Sequence, residues 1–245
     1  MPIIYSSSSG TKDDGYIYKS GSSWANARDA TSGTAQDGGT SSSNFTSVQK
    51  GAARGGGSNF IIYRGFMVFD TSSITGTVAS ATLSIRGFNS NDGSVIAVKS
   101  NAYGGDGGTS LANGDFDAIA GWSAGSSLAG SATVYGSQIL TSSWSTSGYN
   151  DFTATSDLLT DMKNNNVVTI CFMDYTNDYL NSALTSNVAL NCGAYFAEYT
   201  GTTRDPKIDY TLATGYANDV NGVASANIGK IMGVATANIE KVNGK

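Results

Sequence analysis

The sequence predicts an all-β protein: a jelly-roll-type β-sandwich with one short helix, followed by a repeated C-terminal tail. Three observations point there. Apolar segments of strand length recur between stretches rich in Gly, Ser, Thr and Asn. A single segment of the body spaces its apolar residues as a helix does. The C-terminal residues repeat with a period of 11. At 245 residues the chain is long enough for one large β domain plus an appendage, with the sandwich expected over residues 1–212 and the tail over 213–245.

Along the chain, Gly15-Tyr16-Ile17-Tyr18 reads as a brief strand. Residues 20–58 hold only Trp24, Phe45 and Val48 as isolated apolar points, and long loops over a sheet are expected there. Residues 59–70, NFIIYRGFMVFD, are apolar on both side-chain parities, as in a central strand covered on both faces, with a bulge expected at Gly65. Arg64 within it calls for a carboxylate or carbonyl oxygens, expected at the sheet edge. Residues 78–85 alternate, with Ala79, Ala81, Leu83 and Ile85 on one face and Ser80, Thr82 and Ser84 on the other. After an Asn91-Asp92-Gly93 turn, residues 94–99 form the next strand. Residues 100–150 are loop-rich.

Phe152 to Lys163 is the helix, with Thr155 as N-cap, Asp157 in its first turn, and Leu158, Leu159 and Met162 on one face. Asn164-Asn165-Asn166 ends it. Strands follow over residues 167–173, 194–199 and 207–212, the last introduced by Pro206, whose missing N–H costs little at a strand start.

Composition narrows the function. Charged residues make up 13%, about half the usual share, so hydroxyls and amides carry solubility. A net charge of -5 argues against nucleic acid, whose binding draws on clustered Lys and Arg. The N-terminal MPIIYSSSSGTKDDG has no basic region followed by an apolar run, and no window reaches the ~18 apolar residues of a membrane helix. The expectation is a chain made without an export signal and without membrane insertion. Cys171 and Cys192 each sit in an apolar segment, and a disulfide and two buried thiols both fit.

Histidine is absent, which removes imidazole as base, metal ligand or pH switch and rules out Ser-His-Asp and Cys-His arrangements. Asp115 with Asp117, and Asp174 with Asp178, are carboxylate pairs in loop-like segments. Structural roles are expected for them, with Ca2+ the metal such a loop would take, and no cofactor or catalytic residue is expected. Trp122, Trp144, Tyr135 and Tyr149 are the side chains that would stack on a sugar ring, and core or loop anchoring is the competing role for each.

The body also resembles the DNRLRE family of cell-surface and phage-associated modules. Val68-Phe69-Asp70-Thr71-Ser72-Ser73-Ile74 followed by Ala81-Thr82-Leu83-Ser84-Ile85-Arg86 is similar to that family's "KFDLSSIP" and "ATLRLY" phrases, with Thr75 where the family has proline. Asn150 to Leu159 is similar to its "FDVTSLV" helix entry, and Thr203 to Thr211 to its closing "SNRPRLxVTY". The resemblance spans about residues 15–212 and implies a carbohydrate-binding-module-like sandwich.

From Val220 the chain reads VNGVASANIGK, IMGVATANIEK and VNGK. Val220, Val223, Ile228, Ile231, Val234, Ile239 and Val242 recur as its apolar positions. Gly and Asn in each unit oppose a long helix, so short strands or a turn-rich ribbon are expected. So few small units cannot bury their own apolar side chains, which points to assembly with other copies of the chain, a trimer among the options. The "GVATANIxKVNG" form resembles the ends of phage tail and head fibres and other virion proteins. It implies a virion structural protein, a fibre, decoration or adhesin component on a particle surface, with other virion proteins and cell-surface glycans as partners. The alternative is a carbohydrate-binding cell-surface module outside any particle, with no enzymatic activity.

Overall fold

The computed structural model describes residues 1–7, 14–38, 40–122, 131–213, 229–231 and 234–235. Its strands are β1 Ile3–Tyr5, β2 Gly15–Gly21, β3 Ala35–Gly38, β4 Ser42–Ala52, β5 Ser58–Asp70, β6 Val78–Asn91, β7 Val95–Lys99, β8 Val134–Ile139, β9 Tyr149–Thr153, β10 Val167–Met173, β11 Val188–Tyr195 and β12 Lys207–Leu212. Two α-helices, α1 Trp24–Arg28 and α2 Ser156–Asn164, four short 3-10 or π-helical segments, Tyr103–Gly105, Asn113–Asp117, Thr141–Ser143 and Tyr175–Tyr179, and a short pair in the tail, β13 Lys230–Ile231 and β14 Val234–Ala235, are the other regular elements of the described residues. The all-β class holds.

The body is one curled antiparallel sheet in the order β1-β12-β6-β11-β4-β5-β10-β7-β8. It folds onto itself because two long strands serve both layers. The first half of β6 pairs with β12 and β9, and its end pairs with β11. Likewise, β11 pairs with β4 from Ser42 to Lys50, while only Ser47 to Ala52 of β4 pair with β5.

Between the layers lies a core of Phe45, Met67, Phe69, Leu83, Ile85, Phe152, Phe172 and Ile208, all fully buried. Each such side chain contributes roughly 1.5–3 kcal/mol relative to exposure. A second core lies on the outer face of β5, β7 and β10, where Ile62, Phe66, Val98 and Cys171 are capped by α1 and by loop residues Tyr103, Phe116 and Tyr179. This double coverage is why residues 59–70 and 167–173 are apolar on both parities.

Several expectations are corrected. Residues 20–58 are not long loops: they hold α1, β3 and the 11-residue β4. β4 escapes notice because its backbone bonds come from neighbours on both sides, so Phe45 and Val48, both fully buried on opposite faces, suffice to anchor it. Gly65 is no bulge: β5 pairs through it without a register shift. A Cβ there would stand 2.7 Å from Phe45 Cδ2, so the glycine admits that ring. Phe152 belongs to β9, and the helix starts at Ser156, with the Thr155 hydroxyl accepting from the Leu158 N–H as an N-cap should. The strand expected at 194–199 lies earlier, at Val188–Tyr195. In the tail, Ile231 pairs opposite Val234, and Val234 is exposed. Val220, Val223, Ile228, Ile239 and Val242 lie outside the described residues.

Candidate functional site

A polar concavity lies where β7 ends, β10 begins and α2 stops. Lys99, Asn101, Asp106, Tyr135, Asn166 and Thr169 are among the residues lining this cleft of about 520 Å³, within the range of small-molecule sites. Local structure places each one. The Thr155 cap that starts α2 also donates its hydroxyl to the Val134 carbonyl at 2.6 Å, fixing the helix to β8. One turn later Asp161 faces Tyr135 of β8 and Lys99 of β7. The run Asn164-Asn165-Asn166 then ends the helix and forms the rim, where Asn101 and Asn166 stand exposed.

Lys99 Nζ donates to Asp161 Oδ2 at 2.8 Å, and the Tyr135 hydroxyl donates to the same oxygen. Burial pushes the Asp161 carboxyl up, but the hydrogen bonds from Lys99 and Tyr135 outweigh it and hold the group below its usual value. Burial, reinforced by Asp161, drives the Tyr135 phenol far up. The ion pair and the phenol thus form one hydrogen-bonded group at the cleft. Thr169, which also lines the cleft, is 3% exposed, and its hydroxyl has no hydrogen-bond partner among the described residues. A buried polar atom without a partner is costly and uncommon in folded proteins.

The four aromatic residues expected to stack on sugars fall in different places. Tyr135 is buried and reaches the cleft beside its hydroxyl end. Trp144, 7% exposed, packs with its ring 5.6 Å from Phe45 in the inter-layer core, so no ring face is open to a sugar. Trp122 covers two guanidinium groups, Arg64 at 4.4 Å and Arg28 at 4.7 Å from its ring. Tyr149 donates its hydroxyl to the Thr203 and Asp205 carbonyls, each at 3.1 Å, at the border of a second and more open cleft of about 410 Å³.

Three of the four loop carboxylates, Asp115, Asp174 and Asp178, are occupied within the chain. Asp178 is fully buried and receives Arg64 in fork geometry, Nε to Oδ2 and Nη2 to Oδ1, both at 2.8 Å. The remaining Arg64 hydrogen bonds go to the Phe116 carbonyl at 2.8 Å and the Arg28 carbonyl at 3.0 Å. Arg64 therefore has both partner types expected of it, but beneath the loop cap and not at a sheet edge. Burial pulls the Arg64 guanidinium down, yet Asp178 outweighs it and the net shift is upward. Asp174 accepts from the Ser94 and Asn177 N–H groups at 3.0 and 2.7 Å, and Asp115 from the Ala112 N–H at 3.0 Å. Among the described residues, no group of three or more Cys, Asp or Glu side chains is placed to hold a metal ion.

Both cysteines are buried free thiols, Cys171 in the outer core and Cys192 in the inner. Burial pushes the Cys192 thiol up to about 12 and the Cys171 thiol further, so neither is a ready nucleophile.

Lys99, Asn101, Asp161, Asn166 and Thr169 were not singled out from the sequence. The one available signal was the Asn164 to Asn166 run, which reads simply as a helix end. No family model matches the chain, and no curated protein matches it in sequence.

Proposed function

We propose that the chain is a non-catalytic display module, a structural and attachment component of a virion surface, whose body binds a neutral glycan in the Lys99–Thr169 cleft. The observation that carries this reading is the polar lining of the cleft, where the exposed Asn101 and Asn166 amides stand with Lys99 and Asp106 around a space of about 520 Å³. Ring hydroxyls of a sugar meet the Asn101 and Asn166 amides at the rim. The closed Lys99–Asp161 pair, 2.8 Å apart, leaves little net charge to attract an ionic ligand.

Glycan-array binding by the full chain, repeated with Asn166→Ala, tests the proposal. Alanine deletes an exposed amide of the cleft rim, so the melting temperature should hold while glycan affinity falls about tenfold. Equal binding by Asn166→Ala, or no binding of the parent to any neutral glycan, would remove this cleft from the reading.

A further inference from the structure

Residues 201–205 bend from the loop after β11 into β12, and the bend is held from both sides. On one side the Arg204 guanidinium lies over the Tyr195 and Tyr199 rings, 4.6 and 4.4 Å from their centroids. On the other, β12 pairs with β1 and β6, and the Pro206 carbonyl accepts the Ser6 N–H at 2.9 Å. Between these holds stands the Asp205–Pro206 peptide bond.

Asp205 is 6% exposed, and its Oδ1 is buried with no hydrogen-bond partner among the described residues. A buried carboxyl oxygen left without a partner adds nothing to stability. The carbonyl oxygen of the same residue accepts the Tyr149 hydroxyl at 3.1 Å, a proton that Tyr149 shares with the Thr203 carbonyl. The Asp205 carbonyl carbon thus has a polarising donor on its oxygen, a carboxyl on its own side chain, and the tertiary amide nitrogen of proline as its leaving group.

We propose that Asp205–Pro206 is a self-cleavage site, at which the folded chain hydrolyses its own backbone in mildly acidic solution. The carboxyl oxygen of Asp205 attacks the carbonyl carbon of the same residue and closes a cyclic anhydride. The carbon–nitrogen bond to Pro206 breaks, its electron pair stays on nitrogen, and the carboxyl proton passes to that nitrogen. Charge developing on the carbonyl oxygen is met by the Tyr149 hydroxyl. One water molecule, entering past the exposed Thr203, then opens the anhydride. The Asp205 side-chain carboxyl is restored, with a new carboxyl terminus at Asp205 and a new amino terminus at Pro206. This is a single turnover within the chain, separate from ligand binding in the Lys99–Thr169 cleft. β12 keeps its pairing with β1 and β6 across the cut, while the repeated tail that follows it is no longer joined covalently to residues 1–205.

The charged and titratable groups around Tyr149 and Asp205 are Arg204 beside them, Lys207 and Asp209 of β12, paired at 2.8 Å, Tyr5 of β1 and Arg86 of β6. Burial raises the Asp205 carboxyl to about 6, so the protonated form that supplies the leaving group's proton fills as pH falls through that value. Burial also holds the Tyr149 phenol above its ordinary value, which keeps it a donor across this range.

The full chain, held at about pH 5 or about pH 8 and then denatured for intact mass measurement, tests the site. Two fragments should form, one ending at Asp205 and one starting at Pro206, their masses summing to the parent plus one water. Their appearance should be at least about tenfold faster at the lower pH. Asp205→Ala should abolish both fragments, and Tyr149→Phe should slow them about tenfold or more. The parent unfolded in urea at about pH 5 keeps the Asp205–Pro206 bond but loses the Tyr149 donor and the burial, and should also cleave more slowly. A parent that stays intact at both pH values, or that cleaves as fast when unfolded, would overturn the proposal, as would an unchanged rate in a folded Tyr149→Phe variant.

Discussion

At the scale of single residues, the most consequential side chain is Arg64, which lies fully buried among aromatic rings with its charge met by Asp178. Phe116 stacks on the guanidinium at 4.1 Å and Trp122 at 4.4 Å, so water is excluded and the ion pair stands in a low-dielectric setting. A pair of this kind adds little net stability when intact but is expensive to break. Asp178→Asn should therefore cost about 3–5 kcal/mol in a urea titration, since it leaves a buried cation uncompensated. A loss below about 1 kcal/mol, the size of an exposed pair, would mean that solvent reaches the guanidinium. The need of Arg64 for oxygen partners was legible in the sequence, because a cation inside an apolar run must be paired. Asp178 as its partner was not, since 114 positions separate them and nothing local links the two. Trp122 and Trp144 were open to misreading for a related reason. A tryptophan in a Gly- and Ser-rich stretch reads equally as an exposed platform or as the anchor that pins a loop, and only the packed structure separates them.

At the scale of elements, patterns that depend on the chain's own periodicity were readable, and those that depend on a partner strand were not. α2 is set by its Thr155 cap, by Asp157 in the first turn, and by Leu158 and Met162 buried on one face, all of which are local. The Asn91-Asp92-Gly93 turn is equally local, with Asp92 at φ 49°. β4 is the opposite case. Most of its residues are polar, and it is held by β11 from Ser42 to Lys50 and by β5 from Ser47 to Ala52. Its apolar contribution reduces largely to Phe45, whose ring lies over Gly65 of β5 at the point where β4 leaves that strand. The backbone at Gly65 is extended, so an alanine there meets no conformational barrier, only the Phe45 ring at 2.7 Å and the Phe45 carbonyl at 3.1 Å. Gly65→Ala should accordingly destabilise the fold by about 1–3 kcal/mol through overpacking. Pairing it with Phe45→Leu, which frees space under the new methyl, should cost less than the two single changes added together, and denaturant midpoints of both single variants and the double variant measure the coupling.

At the scale of the whole molecule, the body closes on itself, and the described part of the tail is a two-strand pair. The inter-layer core ends with Ile208 and Tyr210 of β12, and among the described residues the Ala213 N–H makes the last backbone bond to the body, 2.7 Å to the Thr77 carbonyl. Beyond it, β13 and β14 pair only with each other among the described residues, through two registered positions, with Val234 49% exposed. Two strands of two residues are far too short to stand alone in water, and an exposed valine on such a hairpin gains only by meeting another surface. The repeat in the sequence made the need for a partner legible, whereas the identity of that partner is a property of an assembly and not of one chain. Removing residues 214–245 should therefore leave the melting temperature of the body within a few degrees of the parent, because none of the described residues of that stretch belongs to either core. The same truncation should reduce the particle measured by light scattering to a single chain, as expected if the tail holds copies together. A truncated chain that keeps its oligomeric mass would place the contact on the body, where the β12 edge beneath β1 is the first surface to examine.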